Sequence, residues 1–166
     1  PLLLQKLGVD AVVINGTPDM RHPAHLSEPT ADNLGMLMET VVAEHADLGV
    51  AHDGDADRCV FIARDGRYVP GDLALALLGR YILEKNGGGE IVVTVATSMI
   101  VEDIAKKAGG RVAYTAVGSP IVARRMAEDG ALFGGEENGG LIFAGHQFCR
   151  DGAMGLAEML ECIVKK

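Results

Sequence analysis

The sequence predicts an α/β protein that consists of two consecutive three-layer α/β/α units with mixed, mostly parallel sheets. Short apolar runs typical of strands alternate with helical segments along nearly the whole 166-residue chain, and this alternation is typical of sheets covered by helices on both faces. Hydrophobic residues make up 48% of the chain and aromatic residues only 4%, so the core is predicted to be aliphatic and rich in alanine. We place the boundary between the units near Pro70, which gives residues 1–70 and residues 71–166.

The first unit contains segments with the apolar spacing of helices and strands. Its opening residues are typical of the tail of a helix, so we expect a fragment that begins inside a structural unit. Asp65-Gly66 is typical of a hairpin turn. The predicted elements are the end of a helix before Gly8, a fully buried strand over residues 10–15, a helix capped by Thr30 or Asp32 that runs to Glu44, and strands over residues 47–51 and 59–62.

The second unit continues the alternation, and capping residues and glycines mark its helix ends. One helix is almost wholly apolar, which predicts that it is buried. Ser119 and Pro120 favour a helix start whose free backbone amides could meet an anion. The predicted elements are a helix over residues 73–83 capped by Asp72, a strand over 90–96, a helix capped by Ser98 and ended by Gly109, a strand over 111–116, a helix over 119–128 capped by Ser119, a strand over 141–143 and a helix over 152–163.

The loop over residues 16–29 is long for a connection in a compact α/β unit. Pro18, Pro23 and Pro29 restrict its backbone to extended conformations, and His25 lies among them. We interpret the loop either as an arm that faces a substrate or as an irregular connector. Its residues alone leave both interpretations open.

The charge and the cysteine content exclude several functional classes. A net charge of −8 argues against a nucleic-acid partner, since such a partner requires a basic surface. Cys59, Cys149 and Cys162 have neither the number nor the spacing of a disulfide framework or a zinc site, and we interpret them as buried thiols of a reducing compartment. No apolar run reaches the roughly 18 residues of a membrane span, and the start lacks a signal pattern. The sequence therefore predicts a cytoplasmic protein without a membrane partner.

The acidic turn, residues 53–58, is the strongest chemical signal in the chain. Asp53, Asp55 and Asp57 occupy alternate positions before Arg58, and carboxylates this close repel one another unless a cation lies among them. Oxygen-only ligands suit Mg²⁺ or Ca²⁺, so a hard divalent ion is the first hypothesis and a solvated acidic turn is the alternative. An EF-hand is excluded, because it needs Gly at its sixth position and Glu at its twelfth, and both are arginines here.

A second polar segment, the glycine-rich loop of residues 134–140, carries Glu136, Glu137 and Asn138 among glycines. It lacks the Lys-Ser/Thr ending of a P-loop and the glycine order of a dinucleotide site. Acid and amide side chains on such a backbone suit hydrogen bonds to sugar hydroxyls. A bare acidic turn is again the alternative.

Taken together, the two motifs resemble the α-D-phosphohexomutases, the family of phosphoglucomutase, phosphomannomutase and phosphoglucosamine mutase. Asp53-Gly54-Asp55-Ala56-Asp57-Arg58 is similar to the metal loop of that family, and Gly135-Glu136-Glu137-Asn138-Gly139 is similar to its sugar-recognition loop. The resemblance is greatest to the archaeal branch and covers the whole chain. It implies that the two units are α/β/α domains 2 and 3 of the family, without the first strand of domain 2 and without domains 1 and 4.

The resemblance also assigns roles to residues. It makes Asp53, Asp55 and Asp57 the ligands of Mg²⁺, with a fourth ligand from a phosphoserine in domain 1, and it makes Arg58 a catalytic group that steadies the phosphoryl group. The implied substrate contacts are Glu136, Asn138, His25, Gly118 and Arg150. The sequence departs from the family pattern at two positions. Gly140 stands where the family often has histidine, for which His146 is the candidate substitute, and the lysine that often precedes Gly118 is missing.

The implied activity is the Mg²⁺-dependent, reversible transfer of a phosphoryl group between the 1- and 6-positions of a hexose phosphate, through a bisphosphorylated sugar. Its partners would be a phosphosugar and domains 1 and 4 of the same polypeptide, and the isolated chain is predicted to be inactive. A non-catalytic sugar-phosphate or metal-binding module is the alternative. A dehalogenase-like phosphatase is disfavoured, because Asp57 stands where that class needs threonine. The preferred hexose and the oligomeric state, a homodimer included, stay open.

Overall fold

The computed structural model describes residues 2–17 and 26–165, and it confirms an α/β fold with a mixed sheet. Its helices are α1 (Leu2–Lys6), a 3₁₀ helix (Ala31–Asn33), α2 (Gly35–Ala43), α3 (Gly71–Asn86), α4 (Ile100–Lys107), α5 (Ser119–Asp129) and α6 (Gly152–Val164). Its strands are β1 (Leu48–His52), β2 (Cys59–Ala63), β3 (Tyr68–Val69), β4 (Gly89–Thr94), β5 (Gly110–Thr115), β6 (Phe133–Gly135), β7 (Leu141–Phe143) and β8 (Gln147–Arg150).

The first sheet has three strands in the order β1-β2-β3, and both pairs are antiparallel. The predicted hairpin joins β2 to β3, where the Gly66 amide donates to the Ala63 carbonyl at 2.8 Å. The buried strand predicted over residues 10–15 is wrong, because no strand forms there and Val12 and Val13 are 62% and 53% exposed. Burying such a strand requires sheet neighbours, and in the described chain no strand pairs with this segment.

The second sheet has five strands in the order β5-β4-β6-β7-β8. Strand β4 pairs in parallel with β5 and β6, whereas the β6-β7 and β7-β8 pairs are antiparallel. The parallel share of the described sheets is therefore smaller than expected. Strand β8 was not predicted, because this four-residue edge strand is mostly exposed and lacks the apolar alternation that marks a strand.

The helices and sheets form a stack of layers. On β2, Cys59 and Phe61 join a hydrophobic cluster with α3, α6 and the second sheet, whereas Val60 and Ile62 join another cluster with α2. Helices α3 and α6 therefore contact both sheets, and α5 covers the opposite face of the second sheet through Val122. One hydrophobic cluster thus extends across both predicted domains, and their exact division stays a prediction.

Helix α3 is buried, as its composition predicts, but its predicted N-cap is wrong. Pro70 is the N-cap, and Asp72 lies in the first turn. The Asp72 carboxylate accepts a hydrogen bond from the Ser98 amide at 2.8 Å, so it ties α3 to the segment before α4. Even α3 falls short of a membrane span: across the described ranges, no helix combines the length and hydropathy that crossing a bilayer requires.

The predicted caps of α2 and α5 are also wrong. Helix α2 begins at Gly35 with Leu34 as its N-cap, so neither of the two predicted residues caps it. Ser119 is the first residue of α5, and the N-cap is Gly118, which has no side chain with which to cap the helix. Ser98 does not cap α4 either, because Met99 is the N-cap of that helix. Asp151, by contrast, caps α6 through its side chain, which accepts from the Met154 amide at 2.9 Å.

Candidate functional site

The acidic turn joins the antiparallel strands β1 and β2 and lies between the paired residues His52 and Cys59. Ala56 adopts a left-handed conformation with φ of 60°, and its amide donates to the Asp53 carbonyl at 3.1 Å. Arg58 closes the turn, because its amide donates to Asp53 Oδ1 at 3.1 Å and its Nε donates to Asp53 Oδ2 at 2.5 Å. One carboxylate therefore holds both ends of the turn.

Asp53 and Arg58 form a largely buried ion pair, with side chains 4% and 18% exposed. Burial alone would raise the pKa of Asp53, but hydrogen bonds from the side chain and amide of Arg58 outweigh it and hold this pKa below its ordinary value. Asp53, and then Glu28, raise the pKa of Arg58. Glu28 Oε1 lies 2.8 Å from Arg58 Nη1. Glu28 was not among the predicted site residues, and its place in the proline-bounded loop is the one sequence feature that points to it.

The three aspartates of the acidic turn fit a divalent cation. Asp53, Asp55 and Asp57 each offer an oxygen, and these oxygens lie within 4.8 Å of one another. Asp57 Oδ1 is buried and has no hydrogen-bond partner in the described chain, which is costly unless a cation or a water binds it. Oxygen ligands of this kind suit a hard ion such as Mg²⁺.

The glycine-rich loop makes a tight connection between β6 and β7. The Glu136 amide donates to the Gly140 carbonyl at 2.9 Å, and the Gly139 amide donates to the Glu136 carbonyl at 3.2 Å. Gly139 has a φ of 94°, and a Cβ at this residue would come within 2.7 Å of the Cys59 carbonyl oxygen. Only glycine fits this position, because the neighbouring atom belongs to the backbone and cannot move aside.

The polar side chains of the glycine-rich loop differ in exposure. Glu136 is only 4% exposed, and its Oε1 accepts from the Gly118 amide at 3.0 Å. One of the amides at the start of α5, where the sequence suggested that free amides could meet an anion, is therefore bound by a carboxylate of the chain itself. Asn138 is exposed, and its Oδ1 accepts from the Gly140 amide at 3.1 Å.

The acidic turn and the glycine-rich loop lie side by side. The Cys59 amide donates to the Gly139 carbonyl at 3.0 Å, and Arg58 forms an antiparallel bridge with Gly140. The backbones of the two predicted functional segments are thus in direct contact, although they belong to different predicted domains.

Arg150, at the end of β8, links the side chains of the two segments. Its Nη2 lies 2.6 Å from Asp57 Oδ2, and its Nη1 lies 3.8 Å from Glu136 Oε2. All three side chains are at least partly buried, with exposed fractions of 26% for Arg150, 24% for Asp57 and 5% for Glu136. A carboxylate from each segment therefore shares one guanidinium.

The structure places all the predicted site residues in this region except His25, which lies outside the described residues. His146, the speculative substitute for a missing imidazole, pairs with Asp151 at 3.1 Å. Thr94, the last residue of β4, was not among the predicted site residues, and its hydroxyl donates to Glu137 Oε2 at 3.3 Å. The one sequence feature that points to Thr94 is a hydroxyl at the carboxyl end of a central strand.

Comparison with known families identifies both halves of the chain. The family model described as phosphoglucomutase/phosphomannomutase, alpha/beta/alpha domain III, matches residues 70–166. The corresponding model for alpha/beta/alpha domain II matches residues 1–66. The domain III match includes the glycine-rich loop, and the domain II match includes the acidic turn.

Individual relatives agree with the family models. The phosphoglucomutase/phosphomannomutase of Thermococcus kodakarensis is 48% identical over 99% of this chain and 36% of its own length. The phosphoglucosamine/phosphogalactosamine mutase of Sulfurisphaera tokodaii is 42% identical over 100% of this chain and 37% of its own length. A crystal structure of a phosphoglucomutase/phosphomannomutase family protein from Burkholderia thailandensis superposes with a TM-score of 0.93 at 27% identity, over 99% of this chain and 36% of that one. The chain thus spans just over a third of the length of these relatives.

Proposed function

Because the chain belongs to the phosphoglucomutase/phosphomannomutase family, we propose that it is part of a Mg²⁺-dependent phosphohexomutase. The proposed reaction interconverts hexose 1-phosphate and hexose 6-phosphate through a bisphosphorylated sugar. The observation that carries the proposal is the contact between the acidic turn and the glycine-rich loop. In this contact the Cys59 amide donates a hydrogen bond to the Gly139 carbonyl at 3.0 Å. A cation site and a group of sugar-binding polar residues would then share one cleft.

In the proposed site, Asp53, Asp55 and Asp57 hold Mg²⁺ and Arg58 contacts the phosphoryl group. When bound, the cation would offset the negative charge of a phosphoryl group beside it. A guanidinium has five N–H donors, and in Arg58 Nε binds Asp53 and Nη1 binds Glu28. Among the described residues its Nη2 has no hydrogen-bond partner, which leaves it for a phosphoryl oxygen, and the ion pair with Asp53 keeps the guanidinium oriented.

Glu136 and Asn138 are proposed to contact the hydroxyls of the sugar. Glu136 is held by the Gly118 amide and lies near Arg150, so its carboxylate would be oriented before the sugar arrives. Asn138 is exposed at the rim and can donate through its amide group. Gly118 and Arg150 both lie beside Glu136. His25 is assigned to the substrate by family resemblance alone.

Metal binding by this chain tests the cation site. In a calorimetric titration with Mn²⁺ or Mg²⁺ we expect weak binding and a rise in thermal stability, since a ligand that binds only the folded state stabilises it by mass action. Asp55→Asn should remove the binding without unfolding the chain, because Asp55 is exposed. Asp47→Asn, an exposed aspartate before β1, is the matched control. Unchanged binding by Asp55→Asn would refute the metal assignment.

Turnover by the complete gene product tests the reaction. Glucose, mannose and glucosamine phosphates are compared as substrates, and we expect turnover of at least one of them and none by Asp55→Asn. The present chain alone is expected to be inactive, because the proposed phosphoserine lies elsewhere. Robust turnover by this chain would contradict that expectation. A complete product that binds metal and phosphosugar without turnover would support the non-catalytic module instead.

A further inference from the structure

The backbone of Arg150 is anchored on both sides. Arg150 pairs with Ile142 across the second sheet. The next residue, Asp151, donates through its amide to the Leu141 carbonyl at 3.0 Å, and its carboxylate caps α6 by accepting from the Met154 amide. The side chain of Arg150 therefore extends from a fixed point between a strand and a helix, which suits a residue that must hold other groups in place.

We propose that Arg150 is a positioning residue that couples the acidic turn to the glycine-rich loop, rather than a direct substrate contact. This inference rests on the proposed function of the two segments. The guanidinium engages Asp57 Oδ2 at 2.6 Å. The other oxygen of Asp57, Oδ1, is buried without a partner in the described chain, so it is the oxygen left for a cation. Arg150 would thereby determine which oxygen of Asp57 is left to bind a cation.

The distribution of arginines supports this role. Arg58 pairs with Asp53, and Arg150 pairs with Asp57. Within the described ranges, Asp55 has no such partner and is exposed. The two outer ligands of the proposed ion are thus oriented by guanidinium groups, while the central one remains free to adjust.

Gly140 provides the space in which Arg150 lies. A Cβ on Gly140 would come 2.5 Å from Arg150 Cδ and 3.3 Å from Arg150 Cγ. Any side chain at residue 140 would therefore push Arg150 away from Asp57. Gly140 and Arg150 form a matched pair, which is a physical reason for glycine at the position where the family resemblance raised the question of histidine.

The shared guanidinium makes the two halves of the site interdependent. A sugar that hydrogen-bonds to Glu136 would change the contact between Glu136 and Arg150. The guanidinium would then move relative to Asp57. By linkage, a cation at Asp57 must affect sugar binding by the same factor. The Nη1 nitrogen lies 3.8 Å from Glu136, so a small shift of the guanidinium is enough to strengthen one contact at the expense of the other.

Amide hydrogen exchange without any metal tests the coupling itself. Asp57→Ala should speed exchange of the glycine-rich loop several-fold, because Arg150 loses its anchor, whereas Asp55→Ala should leave that exchange unchanged. In an Arg150→Met background, Asp57→Ala should have no further effect, because coupled residues are not additive. Unchanged loop exchange in Asp57→Ala, or full additivity with Arg150→Met, would overturn the proposal.

The affinity for Mn²⁺ tests the role toward the ion. Arg150→Lys keeps the charge but cannot span two carboxylates with a planar fork, and Gly140→Ala keeps the arginine but displaces it. Both should weaken Mn²⁺ binding roughly 10-fold, as is usual for residues that orient metal ligands. Gly145→Ala, where a Cβ meets nothing within 4 Å, is the control and should bind normally.

The two experiments separate failure of this inference from failure of the proposed function. Wild-type affinity in both Arg150→Lys and Gly140→Ala would overturn the positioning role while the metal site stands. If the unmodified chain binds no Mn²⁺, the metal assignment fails, and hydrogen exchange alone then decides whether Arg150 couples the two segments.

Discussion

Gly71, the first residue of α3, lies so close to Glu137 that a Cβ at Gly71 would come within 1.7 Å of the Glu137 carbonyl oxygen. The Cβ would be fixed directly to the helix backbone, and the carbonyl oxygen belongs to the backbone of the loop, so neither atom can rotate away. Gly71→Ala should therefore separate α3 from the glycine-rich loop and lower the free energy of unfolding by about 1–3 kcal/mol, the usual cost of overpacking. Urea denaturation measures this loss.

Gly35→Ala is the matched control, because Gly35 is likewise the first residue of a helix, α2, and a Cβ there would meet nothing within 4 Å. Replacing a helical glycine by alanine reduces the entropy lost on folding, so this variant should be neutral or more stable by up to about 1 kcal/mol. Equal losses in the two variants would show that close packing is not the cause.

Arg58→Met should destabilise the chain through Asp53. The Asp53 side chain is 4% exposed, and removing its partner leaves a buried charge, which costs roughly 3 kcal/mol. Arg58 holds the pKa of Asp53 below its ordinary value, so the pair stabilises the fold at neutral pH and loses this effect as the pH falls through the folded pKa. The stability difference between Arg58→Met and the unmodified chain should therefore shrink in acid. A loss of unfolding free energy in Arg58→Met that is equal at neutral and acid pH would contradict this explanation.

Glu28→Gln, at an exposed partner of Arg58, should lower the free energy of unfolding by less than about 1 kcal/mol.

Features of the fold that depend on neighbours in the chain are predicted well from the sequence. The strands β1 and β2, the turn at Asp65 and Gly66, and the buried helix α3 all follow from apolar alternation or turn residues. The segment over residues 10–15 has the same β-branched composition, yet Val12 is 62% exposed. Composition indicates what a segment can bury, whereas burial requires a partner beside it.

Contacts between distant residues are what the sequence could not predict. Asp72 has the composition of an N-cap, but its carboxylate binds the Ser98 amide, 26 residues away. Arg150 was assigned to the substrate, but it reaches Asp57, 93 residues away. The two polar motifs revealed the chemistry of the candidate site because each is local. The linkage between them depends on how the sheets pack, which no local pattern records.

The three thiols should differ in reactivity. Cys59 and Cys162 are buried as predicted, whereas Cys149 is exposed, so the interpretation of it as a buried thiol is wrong. Burial, with Asp151 and Asp53 nearby, raises the pKa of Cys59 to about 12, so little thiolate is present at neutral pH and thiolate is the reactive form. An aromatic disulfide reagent should modify one thiol rapidly in the folded chain and all three in denaturant. Cys149→Ser should remove the fast phase, and a fast phase that persists in this variant would contradict the assignment.

Glu161 should make the contact between α3 and α6 sensitive to acid. Its carboxylate accepts from Lys165 on its own helix end and from Lys85 of α3, the latter at 2.7 Å. These two bonds, Lys165 first, lower the pKa of Glu161 to about 2. Because the folded pKa lies below the ordinary value, the pairs stabilise the fold above that ordinary value, and the stabilisation is lost as the pH falls toward 2.

Glu161→Gln should therefore lower stability near neutral pH by less than about 1 kcal/mol, since the pairs are partly exposed, and should have a progressively smaller effect in acid. Thermal melts of both proteins from near neutral pH into the acid range measure the difference, with Glu44→Gln at an exposed position as the charge-matched control. A difference that stays constant across this range would mean that Glu161 contributes through packing, because only the charged form gains from Lys85 and Lys165.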